Sequence, residues 1–141
     1  MNVIIFGPPG AGKGTQAQNI SNKFNLHQIS TGDLLRLEIK NQTNIGKEID
    51  EIIKKGDLVS DEIVNKLLEK VITNEKYKNR IIFDGYPRNI KQAKNLEILL
   101  NGNNQSLNFI LYLKVTRENI EKRILGRIVC EKCHKTMNEY L

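Results

Sequence analysis

The chain has 141 residues and a net charge of +6, which sets it as one domain by length, large enough to bury a core of its own. Charges of both signs are scattered along it, and with four Tyr, four Phe and no Trp it has no basic block interleaved with aromatics of the kind that stacks nucleic-acid bases. No apolar run approaches the ~18 residues of a membrane span and no apolar N-terminal stretch follows positive charge, so the composition points to a soluble, cytoplasmic protein whose basicity suits phosphate ligands, with neither nucleic acid nor membrane as partner.

The first element is a strand at residues 2–6, whose apolar run Val3-Ile4-Ile5-Phe6 leads into Gly-Pro-Pro-Gly-Ala-Gly-Lys-Gly-Thr at residues 7–15. A glycine-rich turn between a strand and a helix, carrying a lysine and then a hydroxyl, is a phosphate cradle. Its glycines turn backbone N–H groups toward a polyphosphate, the following helix adds its positive end, Lys13 supplies a mobile charge, and Thr15 is placed to assist a magnesium ion. The general pattern puts Ser or Thr directly after the lysine; here Gly14 intervenes, which marks a narrower group. The helix that follows is expected to bury Ala17, Ile20 and Phe24.

A short strand at 27–29 comes next, and then Ser30-Thr31-Gly32-Asp33-Leu34-Leu35-Arg36, which alone reads as a helix start. Ile45, Ile49, Ile52 and Ile53 share one helical face; Ile63, Leu67, Leu68, Val71 and Ile72 share another, opened by Ser60 as N-cap with Asp61 and Glu62 in the first turn. The strand at 80–84 ends in Asp84-Gly85-Tyr86-Pro87-Arg88. Ligands of parallel sheets gather beyond the carboxyl ends of the strands, so Asp84 should emerge beside the phosphate loop, able to hold the water shell of magnesium, with Arg88 available for a two-pronged phosphate contact. A helix with Ile90, Ala93, Leu96 and Leu100 on one face is closed by Asn-Gly-Asn-Asn-Gln-Ser at 101–106. A strand at 108–114 follows, then a helix from about Thr116 on which Arg123 and Arg127, four apart, share a face; residues 126–141 show neither strong periodicity nor a closing strand.

Short, fully apolar strands alternating with helices predict an α/β fold with a parallel sheet covered on both faces, interrupted at 30–59 by a strand-free helical lobe. Three segments of this chain, GPPGAGKGTQA, STGDLLR and FDGYPR followed by Gln92, closely resemble the signature segments of the adenylate kinase family in motif and in spacing, across essentially the whole chain. The resemblance implies a three-layer P-loop fold with a core at 1–29 and 60–125, an AMP-binding lobe at 30–59 and the first part of a lid at 126–141. It implies reversible phosphoryl transfer from magnesium-ATP to AMP, giving two ADP, by a monomeric enzyme of nucleotide homeostasis.

By the same resemblance Gly10, Ala11, Gly12, Lys13, Gly14 and Thr15 would hold the ATP phosphates. Thr31, Arg36, Asp57, Leu58, Val59, Gly85, Tyr86, Pro87, Arg88 and Gln92 would hold AMP; the Gln92 amide suits an adenine edge because it both donates and accepts. Arg123 would pack on the ATP adenine and Arg127 would contact its phosphates, while Thr136 and Met137 would fall on the ATP side of the lid. The cations expected to carry transfer are Lys13, Arg88, Arg123 and Arg127 with magnesium. No general base is needed, since the AMP phosphate is already a nucleophile, and Asp33 and Asp84 would anchor the magnesium water shell.

Cys130 and Cys133, spaced C-x-x-C with His134 next, admit three readings. Haem attachment lacks an export signal, and a thioredoxin-like pair should begin a helix after a strand, whereas this pair is expected to follow a helix. The family resemblance implies the third, half of a structural zinc knuckle whose second ligand pair lies beyond residue 141, since such a site needs four ligands. On the same comparison the chain is expected to be incomplete, lacking later lid arginines, a fifth strand and a closing helix, with the strand near 108–114 left as an apolar edge. A UMP- or CMP-directed monophosphate kinase and a nucleotide-binding fragment without turnover stand as alternatives. A regulatory GTPase is disfavoured because no Asn-Lys-x-Asp segment appears.

Overall fold

A computed structural model describes residues 1–131 and 137–140 and the backbone of residue 136. Four strands, β1 (Asn2–Phe6), β2 (His27–Ser30), β3 (Ile81–Asp84) and β4 (Leu107–Tyr112), form one parallel sheet in the order β2-β3-β1-β4. Helices α1 (Lys13–Phe24), α2 (Thr31–Lys40), α3 (Asn44–Lys54), α4 (Asp61–Ile72), α5 (Ile90–Gly102) and α6 (Arg117–Leu125) connect them, with a 3-10 turn at Glu75–Tyr77. A small antiparallel pair, β5 (Arg127–Val129) and β6 (Thr136–Asn138), follows. The expected α/β architecture is present.

The sheet is apolar on both faces because helices cover both. Ile4, Ile29, Ile81 and Phe83 pack with Leu68, Ile72, Leu96 and Leu100 of α4 and α5, while Val3, Ile5 and Ile82 point the other way, onto Ala17 of α1. A third cluster joins Ile49 of α3 to Ile63 and Leu67 of α4, with Leu34, Leu35 and Ile39 of α2 around it. Helices α2 and α3 thus pack together on α4 without a strand between them, and Leu34 of α2 also reaches the core beside the sheet.

Several expected faces are shifted. In α5 the buried residues are Gln92, Leu96 and Leu100, and both Ile90 and Ala93 are exposed, because the first turn lies past the edge of the core and turns a polar side chain inward. In α1 the buried pair is Ala17 and Ser21, while Phe24, in the last turn, is exposed. The expectation that Arg123 and Arg127 share a helical face fails. Gly126 caps α6, so Arg127 belongs to β5, opposite Asn138. A Cβ at Gly126 would lie 2.5 Å from Tyr140 and 2.6 Å from Asn138, so the β5–β6 pair folds back on the end of α6 and leaves no path for the helix to continue. Residues 126–141 therefore contain two short strands where no regular element was expected.

Among the described residues β4 is paired on one side only, to β1, and Phe109, Ile110 and Tyr112 are exposed along it. At the amino ends of β2 and β3 lies a cleft of about 250 Å3 lined by Asn25, Leu26, His27, Lys76, Tyr77 and Arg80, with the His27 ring stacked on Tyr77 at 3.8 Å. Among the described residues no helix is long and apolar enough to cross a membrane.

Candidate functional site

The loops that follow β1, β2 and β3 emerge side by side at the carboxyl edge of the sheet. In register, Asp84 of β3 lies between Ile5 of β1 and Ser30 of β2. All three sequence segments are therefore brought to one crevice, where the chain connections of a parallel sheet leave space for a ligand.

The phosphate loop runs from the end of β1 to the start of α1. Gly10 and Gly12 take the left-handed backbone, at φ +80° and +88°, which a side chain would strain. A Cβ at Gly10 would also come within 2.9 Å of Ile124, so α6 rests directly on the loop. Arg123 fixes that contact, its guanidinium donating to the Ala11 carbonyl at 3.0 Å. Lys13 Nζ donates to the carbonyls of Gly7 (2.8 Å) and Pro8 (3.0 Å), closing the loop on itself. The first helical bond of α1 runs from Gln16 N–H to the Gly12 carbonyl, so the amides of Lys13, Gly14 and Thr15 precede the ladder. No acidic residue lies in that first turn and no side chain caps it, which leaves the positive helix end for an anion.

Asp84 faces this helix end. Its Oδ2 would be 3.6 Å from a Cβ on Gly14, and it accepts a hydrogen bond from Gln28 Nε2 at 3.1 Å. Burial pushes its pKa above the ordinary carboxylate value of 3.8; the Gln28 hydrogen bond and the Lys13 charge pull it down, Asp33 pushes it up, and the upward causes win. A carboxyl that is harder to ionise in the folded chain stabilises the fold below its unfolded pKa and loses that contribution as pH rises through the folded value. Asp84→Asn should therefore melt at a higher temperature than the parent at pH 7, with the difference shrinking toward pH 4. A lower melting temperature at pH 7 would contradict this balance.

A cavity of about 310 Å3 is walled by α2, α3, α4, the loop after β3 and the start of α5. Thr31, Asp57, Leu58, Val59, Tyr86, Arg88 and Gln92, all predicted from sequence, line it. Leu58 is 95 % exposed and forms its outer lip. Gly85, at φ +77°, turns the chain after β3, and the Tyr86–Pro87 peptide that follows is cis. Arg88 is tied back by a bond from Nε to the Gly85 carbonyl (2.9 Å) and reaches Thr31 Oγ1 at 3.4 Å. Tyr86 is buried and its hydroxyl donates toward Asn65 Oδ1 (2.9 Å) and the Gln92 carbonyl (3.2 Å); burial raises its pKa.

Other expected members stand elsewhere. Arg36 does not line the cavity and forms an exposed pair with Asp33 at 2.6 Å. Arg127 and Met137 lie on the β5–β6 pair, with the Thr136 backbone opposite Val129. Cys130 directly follows β5, so the pair does not follow a helix as expected; Cys133 lies outside the described residues. Among the described residues no group of three or more His, Cys, Asp or Glu side chains could hold a metal ion. The structure adds Gln28 beside Asp84, and Gly32, Leu35, Ile53, Asp61 and Val64 in the cavity wall. Leu35 is legible only as part of the helix start at 30–36, Ile53 only as a helix-face residue and Asp61 only as first-turn charge, since nothing local marks a side chain whose role depends on a partner 31 positions away.

The Adenylate kinase family model matches residues 5–141. Adenylate kinase of Pelagibacter ubique is 60 % identical over 140 residues, covering 99 % of this chain and 66 % of the relative. That of Thermosipho africanus is 39 % identical, covering 98 % of this chain and 64 % of the relative. One from Listeria monocytogenes is 40 % identical over 99 % of this chain and 65 % of its own length. The chain thus spans slightly less than two thirds of the curated relatives it matches. A match over nearly all of these residues, on a parallel sheet whose loops bring the phosphate cradle and the adjoining cavity together, shows that the chain belongs to the adenylate kinase family.

Proposed function

We propose that the protein transfers a phosphoryl group reversibly between ATP, bound at residues 10–15, and AMP, bound in the 310 Å3 cavity, giving two ADP. The observation that carries this reading is that the loop after β3, which walls the cavity, leaves the sheet next to β1, the strand that leads into the phosphate loop. Two anions brought together there need alignment and charge compensation more than covalent help. The amides of residues 13–15 and the ammonium of Lys13 hold the donor, Arg123 on α6 flanks the same loop, and Arg88 and Thr31 face the acceptor phosphate. Arg36 and Arg127 join when the lobe and the β5–β6 pair close on bound nucleotides, and Thr136 and Met137 then face the donor. Residues 1–29 with 60–125 act as the body, 30–59 as the acceptor lobe and 126–141 as part of a lid. The protein works as a cytoplasmic monomer.

Asp84 fits a magnesium partner, since its carboxylate is a hard oxygen donor facing Gly14 in the first turn of α1, near Lys13. Bound there with the triphosphate, magnesium would neutralise charge on the transferring group. Zinc is a weaker fit: Cys130 and Cys133 are half of a four-ligand set, and no step depends on it.

The test is phosphorus NMR of the protein with magnesium, ATP and one acceptor at a time. The reading predicts ADP from AMP at least about tenfold faster than from UMP, whose base edge is oxo-bearing, a discrimination within reach of one built base contact. Faster transfer to UMP would favour the pyrimidine alternative. Binding of both nucleotides without ADP formation would support the fragment reading, and the absence of AMP binding would reject the acceptor site itself.

A further inference from the structure

The buried Gln92 side chain lies between two groups that each permit only one hydrogen-bond sense. Its Nε2 donates to Asp61 Oδ1 at 2.6 Å, and its Oε1 accepts from the Arg88 backbone N–H at 2.7 Å. A carboxylate accepts and a backbone amide donates, so the orientation of the Gln92 amide follows from the chemistry of its neighbours. The frame around it is also held. The Gln92 backbone N–H donates to Asn89 Oδ1 at 2.8 Å, its carbonyl accepts from the Tyr86 hydroxyl at 3.2 Å, and Asn89 Nδ2 lies 3.5 Å from the second Asp61 oxygen. Asp61 itself is set by the start of α4, immediately after the Ser60 cap.

One N–H of Nε2 and one lone pair of Oε1 remain unused by these two bonds, on a side chain that lines the acceptor cavity. They form a donor and an acceptor in fixed order. A 6-aminopurine presents the complementary order, an amino donor beside a ring-nitrogen acceptor. A 6-oxopurine presents the reverse. To serve it, the amide would have to turn over, setting its oxygen against the Asp61 carboxylate and its NH2 against the Arg88 N–H.

We propose that Asp61 is a positioning residue that sets base specificity: by holding the Gln92 amide in one sense it selects nucleoside monophosphates with an amino-bearing base edge over those with an oxo-bearing one. This rests on the reading of the cavity as a monophosphate acceptor site.

The experiment is calorimetric titration of the parent, Asp61→Asn and Asp61→Ala with AMP and with inosine monophosphate, alongside thermal melts. The parent should bind AMP about 100-fold more tightly than inosine monophosphate, because the wrong edge leaves buried polar groups unpaired. Asp61→Asn keeps the shape and removes one of the two constraints on the amide, leaving only the Arg88 N–H to oppose its reversal, so the ratio should fall to roughly tenfold, partly through tighter binding of inosine monophosphate. A merely structural role would weaken both ligands alike and leave the ratio unchanged. An unchanged ratio in a folded Asp61→Asn protein, or a parent that does not discriminate, overturns the inference while leaving the acceptor site standing. Binding of neither nucleotide to the parent overturns both. Should Asp61→Ala fail to fold, the isosteric variant alone decides.

Discussion

Gly46→Ala is expected to lower the unfolding free energy by about 3 kcal/mol or more, as an overpacked contact with no room to relax. Gly46 lies in the first turn of α3, where the chain passes against the end of α2. A Cβ there would stand 2.0 Å from the Glu38 carbonyl oxygen, 2.4 Å from its carbon and 2.9 Å from the Ile39 nitrogen. All three are backbone atoms, so no rotamer change relieves the overlap; the helices must part. Parting them breaks the bonds from the Thr43 hydroxyl, at the start of α3, to Glu38 of α2 and uncovers Ile49, which is fully buried. Intrinsic helix propensity has the opposite sign, favouring Ala over Gly by about 1 kcal/mol. The sign of the change in urea unfolding therefore decides which effect governs. Because Ile53, near the end of the same helix, walls the acceptor cavity, AMP binding should weaken with stability. A variant as stable as the parent would show that the α2–α3 packing described above is wrong.

The second large effect is expected at Lys13. Replacing it with Met preserves the aliphatic stem but removes a charge that is bonded to two carbonyls of the loop. A charged hydrogen bond to phosphate contributes roughly 1.5–3 kcal/mol, so Lys13→Met should weaken ATP binding about 10- to 100-fold. Its effect on transfer should be larger, about 100- to 1,000-fold, because charge on the moving group peaks between donor and acceptor. AMP affinity, which we assign to the separate cavity, should stay within about twofold of the parent, since Lys13 does not line that cavity. Titration calorimetry with each nucleotide separates these outcomes. Equal losses for ATP and AMP would mean that Lys13 supports the fold of the whole crevice rather than one phosphate site.

Much of the fold is legible in the sequence. The apolar runs around Ile4 and Ile82 are short, bounded by turn residues and too polar-poor to be half-exposed, so a parallel, doubly covered sheet was the consistent reading. The phosphate loop was readable because its glycines, lysine and helix start act within nine consecutive residues. What stayed hidden depends on distance in the chain. The inward turn of Gln92 in place of Ala93 follows from where α5 meets the core, and its amide is held by Asp61 across 31 positions. The break of α6 at Gly126 was equally invisible, since four-residue spacing suggested a continued helix, while Tyr140 and Asn138 fold back onto that glycine. Arg36 was placed at the acceptor by resemblance, yet in this structure its nearest partner is Asp33, one turn away on the surface.

On the proposed function, the loops after β1, β2 and β3 form one composite site for two nucleotides. A nitrogen-15 NMR titration with two adenosines joined 5′ to 5′ through five phosphates tests it directly, because a single ligand would span both halves. The account predicts that amides of residues 10–15, 31–36 and 85–92 shift together and saturate at one equivalent. Shifts confined to residues 25–27 and 76–80, around the cleft at the opposite end of the sheet, would contradict it.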